Sequence, residues 1–269
     1  MVVAKGFSLQ TRAYSYRIVD GRLVPNEISA PVRDANCDNT RELYCEFAMI
    51  RTEEAALDFC NKFGLVVPLP SLDMPSIDDE ECPEVSDIFE EAYVMWGILE
   101  CVSYYQKENF ELATAAAATA HSNFVRTESC KRVIPQFLNN TSNYGTYFAT
   151  SISPNSDETD EEKKQRVYKR YPLEIVEGII NHHLSKINPK IRFMPTGEVM
   201  PYMDSNLLSG LYYELYLSFS KGDELLVCEQ CNRIEPRRGK QKRFCSTECA
   251  KAHARREYRK RKKDAHKEA

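Results

Sequence analysis

Four cysteines near the C-terminus stand in the order Cys228-x2-Cys231-x13-Cys245-x3-Cys249. Two close pairs joined by a short span are how thiolates gather around one tetrahedral zinc ion. Four sulfurs fill that shell and leave no place for an activated water, so the spacing predicts a structural zinc site and not a catalytic one. Soon after the last cysteine runs Arg255-Arg256-Glu257-Tyr258-Arg259-Lys260-Arg261-Lys262-Lys263, helix-forming and densely cationic. Cations held on a fixed scaffold suit a polyanion such as nucleic acid.

The residues around the cysteines supply the parts of a treble-clef-like finger. Val227-Cys228-Glu229-Gln230-Cys231-Asn232 predicts a knuckle that brings two sulfurs to one ion, with Asn232 in a left-handed conformation that asparagine tolerates. Arg233-Ile234-Glu235 and Gln241-Lys242-Arg243-Phe244 are expected to pair as short strands, with Ile234 and Phe244 as a small core. Ser246 is placed to cap a helix that carries Cys249 in its first turn. His253, on the same helical face as Cys249, is a minor alternative ligand. A unit this small cannot bury enough apolar surface to fold unaided, whereas structural zinc contributes about 10–16 kcal/mol in finger peptides at neutral pH.

On that helix Ala250, Ala254 and Tyr258 read as a narrow stripe facing the knuckle. Lys251, Arg255, Arg256, Arg259, Lys260, Lys262 and Lys263 cover most of the remaining circumference, and Arg237, Arg238, Lys240, Lys242 and Arg243 form a second basic edge. These are the candidate nucleic-acid contacts. If about six to ten of them neutralise phosphates, affinity should fall roughly 10³–10⁵-fold between 50 and 200 mM salt.

The stretch Leu225 to Lys263, with its Cys-Glu-Gln-Cys, Arg-Phe-Cys-Ser-Thr-Glu-Cys and trailing Arg/Lys helix, resembles the C-terminal zinc fingers of bacterial CGNR-type proteins. The preceding segment, Ser205 to Leu215, is similar to the helix before such fingers. The resemblance implies a mostly helical N-terminal domain, zinc on Cys228, Cys231, Cys245 and Cys249, and DNA binding in transcription regulation. The chain departs from the family pattern after Cys249, where Ala250-Lys251-Ala252 stands for Gly-Asn-Arg, and at Phe244, where tryptophan is usual. Its last two cysteines are also one residue closer together.

Charge is divided along the chain. From Cys228 to Ala269 there are 15 Lys and Arg against 6 Asp and Glu, a net +9, while the preceding residues carry 21 against 34, a net −13. That asymmetry marks an attached nucleic-acid-binding element inside a chain whose overall charge is only −4. Ten acids and no Lys or Arg lie between residues 63 and 106, among them Asp78-Asp79-Glu80-Glu81. They read as a solvated face, with an intramolecular contact to the basic tail as a second possibility. No apolar stretch approaches the roughly 20 residues of a membrane helix, and the N-terminus lacks a secretory pattern, so a cytoplasmic protein without membrane partners is expected. Cys45, Cys60, Cys101 and Cys130 read as buried thiols, and Cys37 and Cys82 as loop residues without function. No phosphate-binding Gly loop, nucleophile elbow or deaminase signature is present in the sequence, which argues against an enzyme.

The elements that carry this module follow from local signals. Residues 7–19 favour strand and turn at Asp20-Gly21 into Arg22-Leu23-Val24. Leu43 to Ile50 reads as helix, and Thr52 caps a second helix that stops at Gly64. Helices follow over 86–105, around the small-residue run Ala113 to Ala120, over 161–187 with a bend or break at Pro172, and over 205–220. Residues 191–200 form a short hairpin. The adjacent His182-His183 point about 100° apart on a helix and read as ordinary core or surface histidines. The expected protein is mainly α with a small N-terminal β-hairpin over 1–222, followed by a zinc finger with a basic helix over 223–269. Its expected function is zinc-dependent nucleic-acid binding, DNA ahead of RNA. The alternative is an adaptor whose finger docks an acidic partner or its own acidic segment.

Overall fold

The computed structural model describes residues 8–12, 15–26, 32–36, 42–66, 82–127, 159–193, 199–204, 207–237 and 243–265. Seven helices are described: α1 (Leu43–Phe47), α2 (Glu53–Phe63), α3 (Val85–Gln106), α4 (Phe110–Phe124), α5 (Asp160–Leu184), α6 (Leu207–Ser220) and α7 (Thr247–Ala265). The strands are β1 (Ser8–Arg12), β2 (Tyr16–Val19), β3 (Arg22–Pro25), β4 (Val32–Asn36), β5 (Asn188–Phe193), β6 (Val199–Asp204), β7 (Leu225–Val227) and β8 (Ile234–Pro236). The protein is mainly helical, with an N-terminal antiparallel hairpin and a C-terminal cysteine cluster that leads into α7.

Local chemistry sets several boundaries. Asp20 and Gly21 both adopt positive φ, 49° and 76°, which is the turn that joins twisted strands, and β2 pairs with β3 around it. Thr52 accepts a hydrogen bond from the Ala55 N–H at 3.2 Å, and Gly64, at φ 100°, ends α2. The N-terminal hairpin is fastened to the start of α3: the Leu23 N–H donates to the Pro83 carbonyl at 3.0 Å, and the Val85 N–H donates to that of Gly21 at 2.9 Å. Arg22 reinforces the seam through the Cys82 carbonyl at 2.8 Å and the Glu84 carboxylate at 3.0 Å. Helix α5 continues through Pro172 without interruption.

Helix α3 is the axis of the core. Its Ile88, Ala92, Val94, Met95, Ile98, Leu99 and Cys101 are fully buried; α4 and α5 pack against it, and α6 packs in turn on α5 and α1. The alanine run of α4 permits close approach, with Ala113, Ala116, Ala117 and Ala120 all buried. A Cβ added at Gly97 would lie 2.8 Å from the Ala120 Cβ and 3.1 Å from its Cα. Gly97→Ala should therefore destabilise the fold by about 1–3 kcal/mol through overpacking. Gly178→Ala on α5, with nothing within 4 Å of the new atom, should be neutral or stabilising by up to about 1 kcal/mol. A lowered urea midpoint for Gly97→Ala beside an unchanged or raised one for Gly178→Ala checks the pair.

One feature lies beyond the local signals. Strands β1 and β2 do not form one long strand; β1 joins a four-stranded sheet of order β4-β1-β6-β5. There β1 runs antiparallel to β4 and parallel to β6, with Ser8 opposite Tyr202, and β5 and β6 form the expected hairpin.

Candidate metal centre and the helix it launches

The cysteine module begins inside the core and ends in solvent. Strands β7 and β8 pair antiparallel, Leu225 with Pro236 and Val227 with Ile234. Of the expected partner strand 241–244, Arg243 and Phe244 lie in a bend instead, and residues 241–242 fall outside the described residues. The knuckle sets the pairing of β7 with β8. Its turn returns the chain on itself, so the Cys228 N–H donates to the Arg233 carbonyl at 2.9 Å and zips the flanking residues together. Asn232 takes the left-handed conformation, φ 58°, and its N–H closes the turn onto the Cys228 carbonyl at 2.9 Å. Leu225 and Ile234 are buried in the main hydrophobic core instead of forming a separate one. Gln106, the last residue of α3, fixes the junction by accepting from the Leu225 N–H at 2.8 Å and donating to the Asp223 carbonyl at 3.0 Å.

The second cysteine pair sits at the start of α7. Ser246 accepts from the Cys249 N–H at 3.1 Å, which is the expected cap. The sulfurs of Cys228, Cys231, Cys245 and Cys249 all lie within 4.8 Å of one another, and Cys245 is 3.5 Å from both Cys231 and Cys249. Four thiolates about 2.3 Å from a tetrahedral ion stand roughly 3.8 Å apart, so the donor set and its spacing fit a metal ion. Cys228 is fully buried. Burial disfavours its thiolate, but the N–H groups of Cys245, Cys231 and Gln230 outweigh this and hold its pKa down at about 6. Burial pushes the Cys231 thiol up, and burial together with the neighbouring sulfurs of Cys249, Cys231 and Cys228 pushes the Cys245 thiol up.

A second tie joins the two halves of the site. The Glu229 N–H donates to the Arg243 carbonyl at 3.1 Å, and the Arg243 guanidinium grips the Glu229 carboxylate, Nε to Oε1 at 2.6 Å. Arg243 holds that carboxyl below its usual range. His253 on α7 packs against Phe244, ring centroids 5.0 Å apart, and its Nε2 lies 4.0 Å from Glu229. It braces the helix and is not among the clustered ligands.

Beyond this anchor α7 is exposed. Lys251, Arg255, Arg256, Arg259, Lys260 and Lys262 all face solvent, as does Arg261, which is not among the expected contacts. Lys263 lies on the same helix, while Arg238, Lys240 and Lys242 fall outside the described residues. Two predicted contacts are already engaged: Arg243 with Glu229, and Arg237 with Glu224 at 2.7 Å. The expected inward stripe is corrected as well. Cys249, Ala250, His253 and Glu257 are partly covered, whereas Ala254 is exposed and Tyr258 is 69% exposed. Cys249, held among the clustered sulfurs, decides which face turns inward, and Tyr258, nine residues on, is about 180° away at roughly 100° per residue.

The remaining titratable groups serve the core. His183 is fully buried, stacks on Tyr212 at 3.9 Å, and has its Nε2 3.9 Å from a Glu91 oxygen; burial pushes its pKa well below the usual histidine range. Cys60 and Cys101 are buried thiols pushed up to about 12, and Cys45 is raised too, all by burial. Cys82 is buried, and Cys37 and Cys130 lie outside the described residues. In the acidic stretch, Asp78-Asp79-Glu80-Glu81 also fall outside them; Glu84 pairs with Arg22 and Asp87 caps the start of α3. No helix among the described residues is long and apolar enough to cross a membrane. No protein-family model, curated protein or solved structure matches the chain. What fold and site define is a mainly helical protein whose four-cysteine cluster can hold a metal ion at the root of a basic helix.

Proposed function

We propose that this is a zinc-dependent nucleic-acid-binding protein of the cytoplasm, with DNA ahead of RNA as its target, acting in transcription regulation and not as an enzyme. One observation carries the reading: a 19-residue helix, about 28 Å long, is anchored at one end by four sulfurs and covered beyond that with exposed cations. A helix that is polar all round gains little from packing on its own protein, so its charge is available to a partner. The likeness of residues 225–263 to CGNR-type fingers points the same way. In this reading zinc holds the four thiolates and so fixes the direction of α7. Arg and Lys side chains contact phosphates, and residues in the first turns approach base edges.

The test is a titration of labelled duplex DNA against the zinc-loaded chain at increasing salt. Arg237 and Arg243 are engaged by acids, and a straight helix meets a groove along one side, so about four to six phosphate contacts are expected. Affinity should then drop about 10²–10³-fold between 50 and 200 mM salt. Negligible duplex affinity at 50 mM would favour an adaptor that docks an acidic protein.

A further inference from the structure

The face of α7 opposite the metal site carries an aromatic ring set among cations. At roughly 100° per residue, Lys251, Ala254, Arg255, Arg261 and Lys262 all fall within about 60° of Tyr258 around the helix. All of these residues are exposed, and Tyr258 is the most exposed large apolar side chain among the described residues, at 69%. Ala254 lies one turn before Tyr258 and keeps that flank of the ring open. The partly covered residues Cys249, Ala250, His253 and Glu257 lie on other parts of the helix. Phosphate attraction alone explains the cations. It does not explain a large ring at the centre of their face with no core to pack on.

We propose that Tyr258 is a stacking platform for an unpaired base, so that this face of α7 takes a single-stranded or looped segment of nucleic acid, with Lys251, Arg255, Arg261 and Lys262 on its phosphates. This deepens the nucleic-acid reading above and rests on it. Sequence-tolerant single-strand binding combines those two parts, a cationic track and an aromatic face, because every base has a π-surface once it leaves the duplex. In a continuous duplex those surfaces are covered by neighbouring bases. The ring therefore discriminates strand state, which charge by itself does weakly.

The experiment uses the full zinc-loaded chain with a labelled 20-nucleotide single strand and the matching duplex, over the same salt series. Tyr258→Ala should weaken single-strand binding about 5- to 100-fold, leaving metal content and salt slope unchanged. Tyr258→Phe should retain binding. Irradiating a strand that carries 5-iodouracil should cross-link it to Tyr258. Equal strand affinity of Tyr258→Ala and wild type, or an equal loss on strand and duplex, overturns the stacking role. If wild type binds duplex with the full salt slope but shows no such strand effect, the nucleic-acid reading stands and this inference alone falls. If it binds neither form, or if polyglutamate competes as well as the strand does, both fall.

Discussion

Stripping the metal should release α7 while the helical core stays folded. The two ends of the cysteine module are held by different forces. Leu225 and Ile234 are buried in the main core, and Gln106 bonds the chain on both sides of Glu224. The α7 end has the half-exposed Phe244 and His253, the exposed Glu229–Arg243 pair, and the sulfurs. Surface ion pairs contribute about 0–1 kcal/mol, against about 10–16 kcal/mol for structural zinc in finger peptides. Native chain should contain one zinc ion, and Cys245→Ser or Cys249→Ser should abolish it. Chelation should remove hydrogen-exchange protection from 247–265 while β7 and α3 keep theirs. Cys60→Ser should leave the metal content unchanged, because that thiol lies on the buried face of α2 and is not among the clustered sulfurs. Absence of metal from native protein would sink the four-thiolate site; loss of α3 protection on chelation would show that finger and core melt as one unit.

The legible parts of this fold are those that a few neighbouring residues decide. Thr52 and Gly64 bound α2 by capping chemistry, Asp20-Gly21 turns the N-terminal hairpin, Asn232 takes its left-handed place in the knuckle, and Ser246 caps α7. The metal cluster was legible for a similar reason, since ligand spacing encodes a requirement for four sulfurs around one point. The pairing of β1 with β6 was not legible. It opposes Ser8 to Tyr202, a non-local contact that depends on how the intervening helices pack and that no local signal specifies. Strand β8 was legible but its partner was not: Arg243 and Phe244 continue a β-like pattern yet lie in a bend, whereas β7 owes its pairing to the knuckle.

The orientation of α7 shows how a strong constraint overrides a weak one. Small and aromatic residues at helical spacing, Ala250, Ala254 and Tyr258, read as a buried stripe, and burying a large side chain is worth about 1.5–3 kcal/mol. Gathering Cys249 with the other three sulfurs outweighs this, and it fixes the rotation of the helix. Starting the helical wheel from Cys249 places His253 inward and Tyr258 outward, and it brings Arg261 onto the exposed face. That signal was present in the sequence. In the same way Arg237 and Arg243 count as cations by composition, yet Glu224 and Glu229 engage them, so among the described residues of the finger the solvent-facing cations gather on α7.

Reversing charge on α7 should therefore do far more than removing it from the hairpin. Arg255→Glu, Arg256→Glu and Arg259→Glu together alter adjoining positions spanning about 100° of the exposed helix. Glu and Arg have similar helix propensities, and α7 starts at the metal, so helix content and zinc content should persist. Losing three phosphate contacts removes about 2.7 from the slope of log affinity against log salt, which corresponds to roughly 10²–10³-fold in affinity near 0.1 M. Added repulsion between glutamate and phosphate increases the loss. Arg237→Ala, by contrast, should shift affinity no more than a few-fold, because Glu224 already offsets that charge at 2.7 Å. Measuring the two variants side by side, with metal content as the check on folding, separates a docking helix from a merely solvated one. If the triple reversal left both affinity and slope at wild-type values, the cations of α7 would be solvent-facing charge, and any phosphate contact would lie elsewhere on the protein.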